Sequence, residues 1–176
     1  MDYITLIKRY KHTPDDRWLQ VSIKEQQISL FETDHCLHIW PVSTAARGTG
    51  QQNGSFQTPL GAHRIADKIG ADSLPCSVFV GREDTGECAD ILTHPISSDK
   101  DQITSRILWL TGLEPGFNLG SDVDTRQRYI YIHGTPEEGL IGQPVSHGCI
   151  RMKNQDVIQL FDLIQQETLV YIAESD

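Results

Sequence analysis

The run Ser146-His147-Gly148-Cys149-Ile150-Arg151 sets one cysteine among small and basic residues, and a second histidine, His133, stands upstream of it between Ile132 and Gly134. A thiol attacks carbonyl carbons well only as the thiolate, and a neighbouring imidazole is the usual base that takes its proton. The pattern therefore predicts a Cys–His acyl-transfer enzyme with Cys149 as the nucleophile.

The two histidines have different expected roles. His133 ends a strand-like segment and faces a glycine-rich loop, which suits a general base. Its alternative is a hydrogen-bonded histidine at a strand edge, since sequence cannot prove that it pairs with Cys149. His147 could act as the base, donate to the developing oxyanion or contact the substrate, and the residues alone do not choose among these roles.

The residues around Cys149 suggest how a reacting carbonyl would be held. Gly148 permits a backbone shape that a side chain would block, and successive N–H groups in such a turn can form an oxyanion hole. Arg151 could clamp a substrate carboxylate with two guanidinium nitrogens, although a solvated surface arginine is the alternative. A buried structural role for Cys149 is disfavoured because His147 and Arg151 flank it.

A zinc site formed by His133, His147 and Cys149 is a further alternative. The His-Gly-Cys triplet lacks the usual ligand spacing, and no carboxylate occupies a motif position. We therefore predict an enzyme with no metal and no cofactor.

The bulk composition fits one globular domain over residues 1–176. The chain is 38% hydrophobic and 22% charged, and its net charge of −9 argues against nucleic acid as a partner. No window approaches the length of a membrane span, and the N-terminal apolar stretch is too short and wrongly flanked for a signal peptide. We therefore expect no membrane partner and a cytoplasmic location, while the oligomeric state stays open.

The four cysteines match neither a CxxC pair nor a zinc ribbon. In a reducing cytoplasm we expect Cys36, Cys76 and Cys88 to be free and mostly buried. The alternative, in an oxidising compartment, is a Cys76–Cys88 disulfide.

We expect strands to position these residues, because several short runs mix β-branched or aromatic residues with partial alternation. An opening β-meander is predicted over 18–23, 27–31 and 36–42, and 43–61 is a predicted surface loop. The other predicted strands are 62–65, 77–80, 91–93, 128–133 and 168–172, with a further apolar run over 106–110. Polar loops are expected around 81–84 and 97–101, and a loop rich in Gly and Asp over 112–124.

One clear helix is predicted after Cys149. Asn154 is the expected N-cap and Asp156 lies in the first turn. Its apolar face is Val157, Ile158, Phe161 and Ile164. We therefore predict a mainly β fold, a sandwich or partly closed barrel, with one helix following the cysteine.

Taken together, these segments resemble the L,D-transpeptidase catalytic domain, the YkuD family, over almost the whole chain. The resemblance rests on Pro-Val-Ser-Thr at 41–44, Thr-Pro-Leu-Gly at 58–61, the His-Gly-Thr segment at 129–135 and Ser-His-Gly-Cys-Ile-Arg-Met at 146–152. It implies a β-sandwich of mixed strands with a helix after the nucleophile.

The resemblance also implies a reaction. Cys149 would attack the carbonyl of a diamino acid, usually meso-diaminopimelate, in a peptidoglycan stem peptide. D-Ala would be the leaving group, and the product would be a thioester acyl-enzyme. His133 would be the base, held by a backbone carbonyl such as that of Gly134. Amides around His147, Gly148 and Cys149 would form the oxyanion hole.

Further expectations follow from the same resemblance. Arg151, Ser146 and Gly134 are the expected substrate contacts. Many family members have Asn where this chain has Arg151, although Arg is a common variant there, so the resemblance leaves its exact contact open. Carbapenems acylate many members, and a carbapenem adduct on Cys149 is therefore expected.

The acceptor of the acyl group distinguishes the possible functions. An amine acceptor gives cross-links or D-amino-acid exchange, and water gives carboxypeptidase hydrolysis. With no export signal recognised, we predict a cytoplasmic L,D-carboxypeptidase that trims tetrapeptides to tripeptides in murein recycling. The alternatives are an L,D-transpeptidase and, from another class, an inactive muropeptide-binding sensor.

Overall fold

The computed structural model describes residues 3–11, 13–98 and 100–175, and β-strands dominate these ranges. The strands are β1 Arg17–Ser22, β2 Gln27–Glu32, β3 His35–Pro41, β4 Gly61–Ile69, β5 Ser77–Val80, β6 Glu83–Cys88, β7 Ile103–Gly112, β8 Tyr131–Gly134, β9 Ile150–Met152 and β10 Leu169–Ala173. The helices are α1 Tyr3–Tyr10 and α2 Asn154–Leu163.

The strands form a mixed, branched sheet. Its main path runs β3-β2-β1-β10-β4-β7-β5-β6, and β8 branches from β7 to pair with β9. The β1–β10 and β8–β9 pairs are parallel, and the other pairs are antiparallel. The predicted opening meander and the mainly β fold of mixed strands are confirmed.

The main core lies between the meander on one side and β8, β9 and α2 on the other. Side chains from these elements meet in one buried cluster, which includes Leu19, Leu30, Leu108, Ile132, Ile150, Met152, Val157 and Leu160. All residues of β8 and β9 are buried. These two short strands therefore hold the site residues in the buried core, where close packing leaves side chains little freedom.

The predicted helix after Cys149 is confirmed as α2, and a second helix that was not predicted, α1, precedes β1. The helix is short, yet Leu6 is fully buried against Trp18 and Leu169. Tertiary contacts of this kind stabilise helices that would be marginal in isolation. No helix in the described ranges is long and apolar enough to cross a membrane.

The cysteine prediction was also wrong. Cys76 and Cys88 form a disulfide with a Cα–Cα distance of 4.8 Å, and Cys36 is free but exposed. The β5–β6 register pairs Ser77 with Cys88, so Cys76 arrives beside its partner. That distance lies within the range that a disulfide requires.

Two predictions failed near β6: a polar loop expected at 81–84, and a strand expected at 91–93. The polar stretch at 81–84 enters β6, whose residues are all exposed and so lack an apolar alternation. Backbone pairing with β5 and the disulfide hold it instead. The predicted strand at 91–93 is irregular, although the Leu92 N–H donates to Pro136 O at 2.7 Å.

The start of α2 differs from the prediction as well. The helix begins at Asn154 with Lys153 in the cap position, so Asn154 is not the N-cap. The Asn154 side chain is buried, and its Oδ1 accepts from Thr104 Oγ1 at 2.6 Å while its Nδ2 donates to Glu138 Oε1 at 2.8 Å. These bonds tie α2 to β7 and to the loop after β8.

Candidate active site

Parallel pairing of β8 and β9 brings the segment that carries His133 beside the segment that carries Cys149. The register sets His133 beside Arg151 and Ile132 beside Ile150, with β7 on the other side of β8. Cys149 immediately precedes β9. The segments that carry the predicted base and nucleophile are therefore neighbours in the sheet.

The Cys149 thiol is held at the entrance to β8. The Tyr131 N–H donates to Sγ at 3.4 Å, and Sγ donates to Tyr129 O at 3.4 Å. Tyr129 has a φ of 56°, a left-handed conformation that turns the chain just before β8. This turn explains why β8 begins at Tyr131, later than the predicted start at 128.

Burial keeps the thiol protonated. Desolvation raises the pKa of Cys149 to about 11, although the Tyr131 N–H bond and the nearby Arg151 and Arg128 charges lower it. At neutral pH the resting cysteine is therefore the neutral thiol.

His133 is held as a neutral base. Its ring is 2% exposed, and Nδ1 lies 2.7 Å from Gly134 O. Because a carbonyl only accepts, Nδ1 carries the hydrogen and Nε2 is left with a lone pair. Burial lowers the pKa of His133 to about 4, against the opposing effect of the Gly134 carbonyl.

Cys149 and His133 line one small cavity of about 80 Å³. With the pKa of the thiol raised and that of the imidazole lowered, the resting pair carries no charge. A resting thiolate–imidazolium pair is disfavoured, so proton transfer to His133 would accompany attack by sulfur. A carbonyl group bound in this cavity could contact both the Cys149 thiol and the His133 imidazole.

The turn before Cys149 is built by its own hydrogen bonds. Ser146 Oγ donates to Cys149 O at 2.6 Å and accepts from the Gly148 N–H at 3.2 Å. Gly148 has a φ of 131°, and a Cβ there would lie 3.2 Å from Ile130 Cδ1. Glycine is therefore favoured by the positive φ, and a Cβ here would also be crowded. The predicted substrate contact of Ser146 and the oxyanion role of the Gly148 amide stay predictions.

Thr58 supports this turn from the segment that the sequence singled out at 58–61. Its Oγ1 donates to Gly148 O at 2.9 Å and accepts from the Ala45 N–H at 3.0 Å. One buried hydroxyl thus fixes the peptide before the nucleophile to the start of the 43–61 loop. Sequence reasoning noted the segment but did not find the contact.

Arg151 is buried and carries two carboxylate partners. Its side chain is 4% exposed, Nη1 donates to Glu137 Oε2 at 2.8 Å, and Nη2 donates to Asp101 Oδ1 at 2.6 Å. The solvated surface arginine is thereby excluded. Asp101 and Glu137 were missed because they lie outside any motif and approach Arg151 only through the fold.

His147 lies at the mouth of the same cavity. Its side chain is 64% exposed, and Nδ1 donates to Asp101 Oδ2 at 2.6 Å. The Phe56 ring meets the imidazole edge-on at 6.1 Å. In the parts of the chain that the structure describes, no group of three or more His, Cys, Asp or Glu side chains is arranged to hold a metal ion.

Gly134 has a steric role beside its carbonyl contact with His133. A Cβ at Gly134 would lie 2.5 Å from Asn154 Oδ1 and 2.6 Å from Thr104 O. Only glycine allows α2 and β7 to close on β8 here. The predicted contact of Gly134 with substrate stays a prediction.

Two larger pockets flank the Cys149 cavity, and His147 lines both. One, of about 460 Å³, lies on the side of Asp101, Glu137 and Arg151. The other, of about 300 Å³, lies beside Arg47 and Phe56. Cys149 thus stands in a cleft with room on two sides.

Comparison with known proteins relates the chain to one protein family. The family model of the L,D-transpeptidase catalytic domain, YkuD, matches residues 16–172. Two Bacillus subtilis proteins whose names assign them to the L,D-transpeptidases are similar to the chain. YqjB is 42% identical over 59 residues (33% of this chain and 34% of YqjB), and YkuD is 51% identical over 41 residues (23% and 25%). The matched part therefore spans about a third or less of these relatives.

A solved structure shows the same fold. L,D-transpeptidase 3 from Mycobacterium tuberculosis, in complex with a faropenem-derived adduct, superposes with a TM-score of 0.55 at 16% identity, covering 90% of this chain and 60% of that chain. The predicted family resemblance and the predicted fold are both confirmed.

Proposed function

We propose a cysteine acyl-transfer reaction on peptidoglycan stem peptides, from the premise that the chain belongs to the YkuD family of L,D-transpeptidase catalytic domains. The observation that carries the proposal is the cavity that Cys149 shares with His133, with the imidazole neutral and its Nδ1 hydrogen bound to Gly134 O. This arrangement suits a base that takes a proton only when the thiol reacts.

In the first half-reaction, Cys149 Sγ attacks the carbonyl between diaminopimelate and D-Ala. His133 Nε2 takes the thiol proton and then delivers it to the amine of D-Ala as the peptide bond breaks. The product is a thioester on Cys149. In the second half-reaction, His133 takes a proton from the acceptor, the acceptor attacks the thioester, and the proton returns to sulfur.

An amine acceptor, hence L,D-transpeptidase activity, is favoured by the two-sided cleft. The pockets of about 460 Å³ and 300 Å³ give separate space for a donor and an acceptor peptide. The Cys76–Cys88 disulfide supports the same outcome, since disulfides persist in oxidising compartments.

Water is the second candidate acceptor and would make the protein an L,D-carboxypeptidase. The cavity of about 80 Å³ at Cys149 admits water without further opening. The cytoplasmic location predicted from the sequence would suit this reaction on soluble stem peptides, whereas the disulfide favours an oxidising compartment.

Incubation with a tetrapeptide, followed by mass spectrometry, tests the proposal. Loss of D-Ala without added amine would identify the carboxypeptidase, and exchange only when a D-amino acid or second stem is present would identify the transpeptidase. Saturable binding without turnover would identify the sensor and contradict both enzymatic proposals.

Substitution of the two central residues assigns their roles. Cys149→Ala should abolish turnover, with Cys36→Ser as the matched control because Cys36 is the other free cysteine. His133→Gln should lower kcat by about 100-fold or more, as expected for loss of a general base. Turnover by the Cys149→Ala protein would contradict the nucleophile assignment.

A β-lactam offers an independent readout, because the Mycobacterium tuberculosis relative was solved with a faropenem-derived adduct. Faropenem or a carbapenem should add a covalent mass to the wild-type protein and to Cys36→Ser but not to Cys149→Ala. An adduct on any other residue would contradict the proposed site.

A further inference from the structure

A half-exposed carboxylate lies at the mouth of the cleft and belongs to no sequence motif. Asp101 Oδ1 accepts from Arg151 Nη2 at 2.6 Å, and Oδ2 accepts from His147 Nδ1 at 2.6 Å. The Asp101 side chain is 47% exposed. It lines both the Cys149 cavity and the neighbouring pocket of about 460 Å³. A carboxylate thus stands where a substrate would pass the nucleophile.

Arg151 is anchored independently of Asp101. Its Nη1 donates to Glu137 Oε2 at 2.8 Å, and the Glu137 side chain is 6% exposed. Glu137 Oε1 also accepts from Ser97 Oγ at 3.0 Å and from the Ser98 N–H at 2.5 Å. The buried Arg151–Glu137 pair therefore holds the guanidinium in place, and its Nη2 faces the cleft.

The charges around Asp101 favour replacement of its carboxylate by a carboxylate of a ligand. Arg151 and Glu137 neutralise each other, so Asp101 brings an additional negative charge. Burial opposes that charge, but the Arg151 guanidinium and the His147 hydrogen bond hold the pKa of Asp101 below its usual range. A carboxylate of a ligand would meet the same two donors.

Asp101 can leave without breaking the sheet. It lies just before β7, outside the strands, whereas Arg151 belongs to β9 and Glu137 is buried behind it. Release of Asp101 would break its two side-chain contacts and no strand pairing.

We propose that Arg151 Nη2 and His147 Nδ1 form a subsite for a carboxylate of the stem peptide, which Asp101 occupies in the free protein and vacates when substrate binds. The identity of the ligand rests on the proposed function. Two carboxylates of a tetrapeptide have suitable chemistry, that of the terminal D-Ala and that of the D-centre of diaminopimelate. Asp101 is then an internal competitor that weakens apparent affinity.

Binding measurements on the Cys149→Ala protein test this subsite without turnover. Calorimetry with a tetrapeptide should give a Kd about tenfold lower for Asp101→Asn, because the competitor no longer reduces the binding-competent fraction. Asp90→Asn is the matched control, since it removes the same charge at an exposed position before β7 and should leave Kd unchanged. An unchanged or higher Kd for Asp101→Asn would overturn the proposal and indicate a positioning role for Asp101.

Two amidated peptides identify the carboxylate. In each peptide one of the two carboxylates is replaced by an amide. If the replaced carboxylate is the one that binds the subsite, Asp101→Asn should no longer lower the Kd; with the other peptide it should still do so. Retention of the gain by both peptides would overturn the assignment.

Acetate separates failure of the subsite from failure of the proposed function, because it needs no stem peptide. In Asp101→Ala, acetate should shift the His147 ring resonances in a saturable titration, and in wild type it should shift them at least several-fold less. Equal responses in the two proteins would overturn the subsite. If Asp101→Ala responds saturably to acetate but the protein binds no tetrapeptide, the subsite is upheld and the proposed function is contradicted.

Discussion

At the residue scale, the reactive pair combines a cysteine that resists ionisation with a histidine that resists protonation. Burial is the first cause of both effects, raising the pKa of Cys149 to about 11 and lowering that of His133 to about 4. The Tyr131 N–H and the Gly134 carbonyl oppose burial but do not overcome it. In the proposed reaction, transfer of the thiol proton to His133 would therefore accompany attack on the bound substrate.

Alkylation of Cys149 tests this protonation state. In a Cys36→Ser background, the rate with iodoacetamide should rise about tenfold per pH unit through neutral pH and continue toward pH 11, because only the thiolate reacts. His133→Gln should leave the profile nearly unchanged. A plateau below about pH 7 would instead reveal a thiolate–imidazolium pair.

At the element scale, loops that cross the site are fixed by few side chains. Arg128, just before β8, donates to Gly50 O at 3.0 Å, Gln51 O at 2.9 Å and Gln57 O at 2.6 Å. These bonds hold the loop that carries Phe56 to the side of the cleft. Arg128 therefore helps to position the loop, together with the backbone bridge between Thr49 and Thr58.

Removal of Arg128 should loosen this loop. In Arg128→Ala, hydrogen exchange of the amides at 50–57 should speed up by about tenfold or more, because several hydrogen bonds are lost together. Arg126→Ala is the matched control, since Arg126 pairs with Asp67 and not with the loop. Equal exchange in the two variants would contradict the assignment.

The β5–β6 hairpin gives a second prediction at this scale. The Cys76–Cys88 disulfide has a sequence separation of 12, so the double substitution to Ser should lower the free energy of unfolding by about 3 kcal/mol. Urea unfolding with and without reductant measures this. Reductant should lower the free energy of unfolding of the wild type and leave that of the variant unchanged. A wild type whose unfolding does not respond to reductant would contradict the disulfide.

At the scale of the whole molecule, the sheet buries ionisable groups that make stability depend on pH. His63 in β4 is fully buried, with Nδ1 3.0 Å from Gly61 O and Nε2 3.1 Å from Thr125 Oγ1. Desolvation lowers the pKa of His63 to about 4. Protonation of His63 or His133 therefore lowers the stability of the folded state.

Acid should destabilise the protein through these histidines. Between about pH 6.5 and pH 4 the unfolded chain binds protons that the folded state excludes, so stability is lost as pH falls, on the order of 3 kcal/mol for each histidine. Urea unfolding should show a shallower pH dependence for His63→Gln than for His35→Gln, an exposed control. Identical slopes would contradict the buried neutral state of His63.

The sequence by itself determined the family, the glycine turn before Cys149 and most strands. Those features depend on patterns within a few residues, such as the conformation that Gly148 permits and the alternation along β1 and β2. It did not determine α1 or β6, because docking and pairing rather than local pattern stabilise them.

Only the tertiary structure decided how the site is charged and held. Asp101 and Glu137 lie 50 and 14 residues before Arg151 and reach it only through the fold. The Asn154 side chain joins a buried hydrogen-bond network instead of capping α2. The pKa directions of Cys149 and His133 likewise follow from burial between β7, β9 and the core. Long-range contacts and desolvation are properties of the packed molecule, and a linear pattern of residues does not specify them.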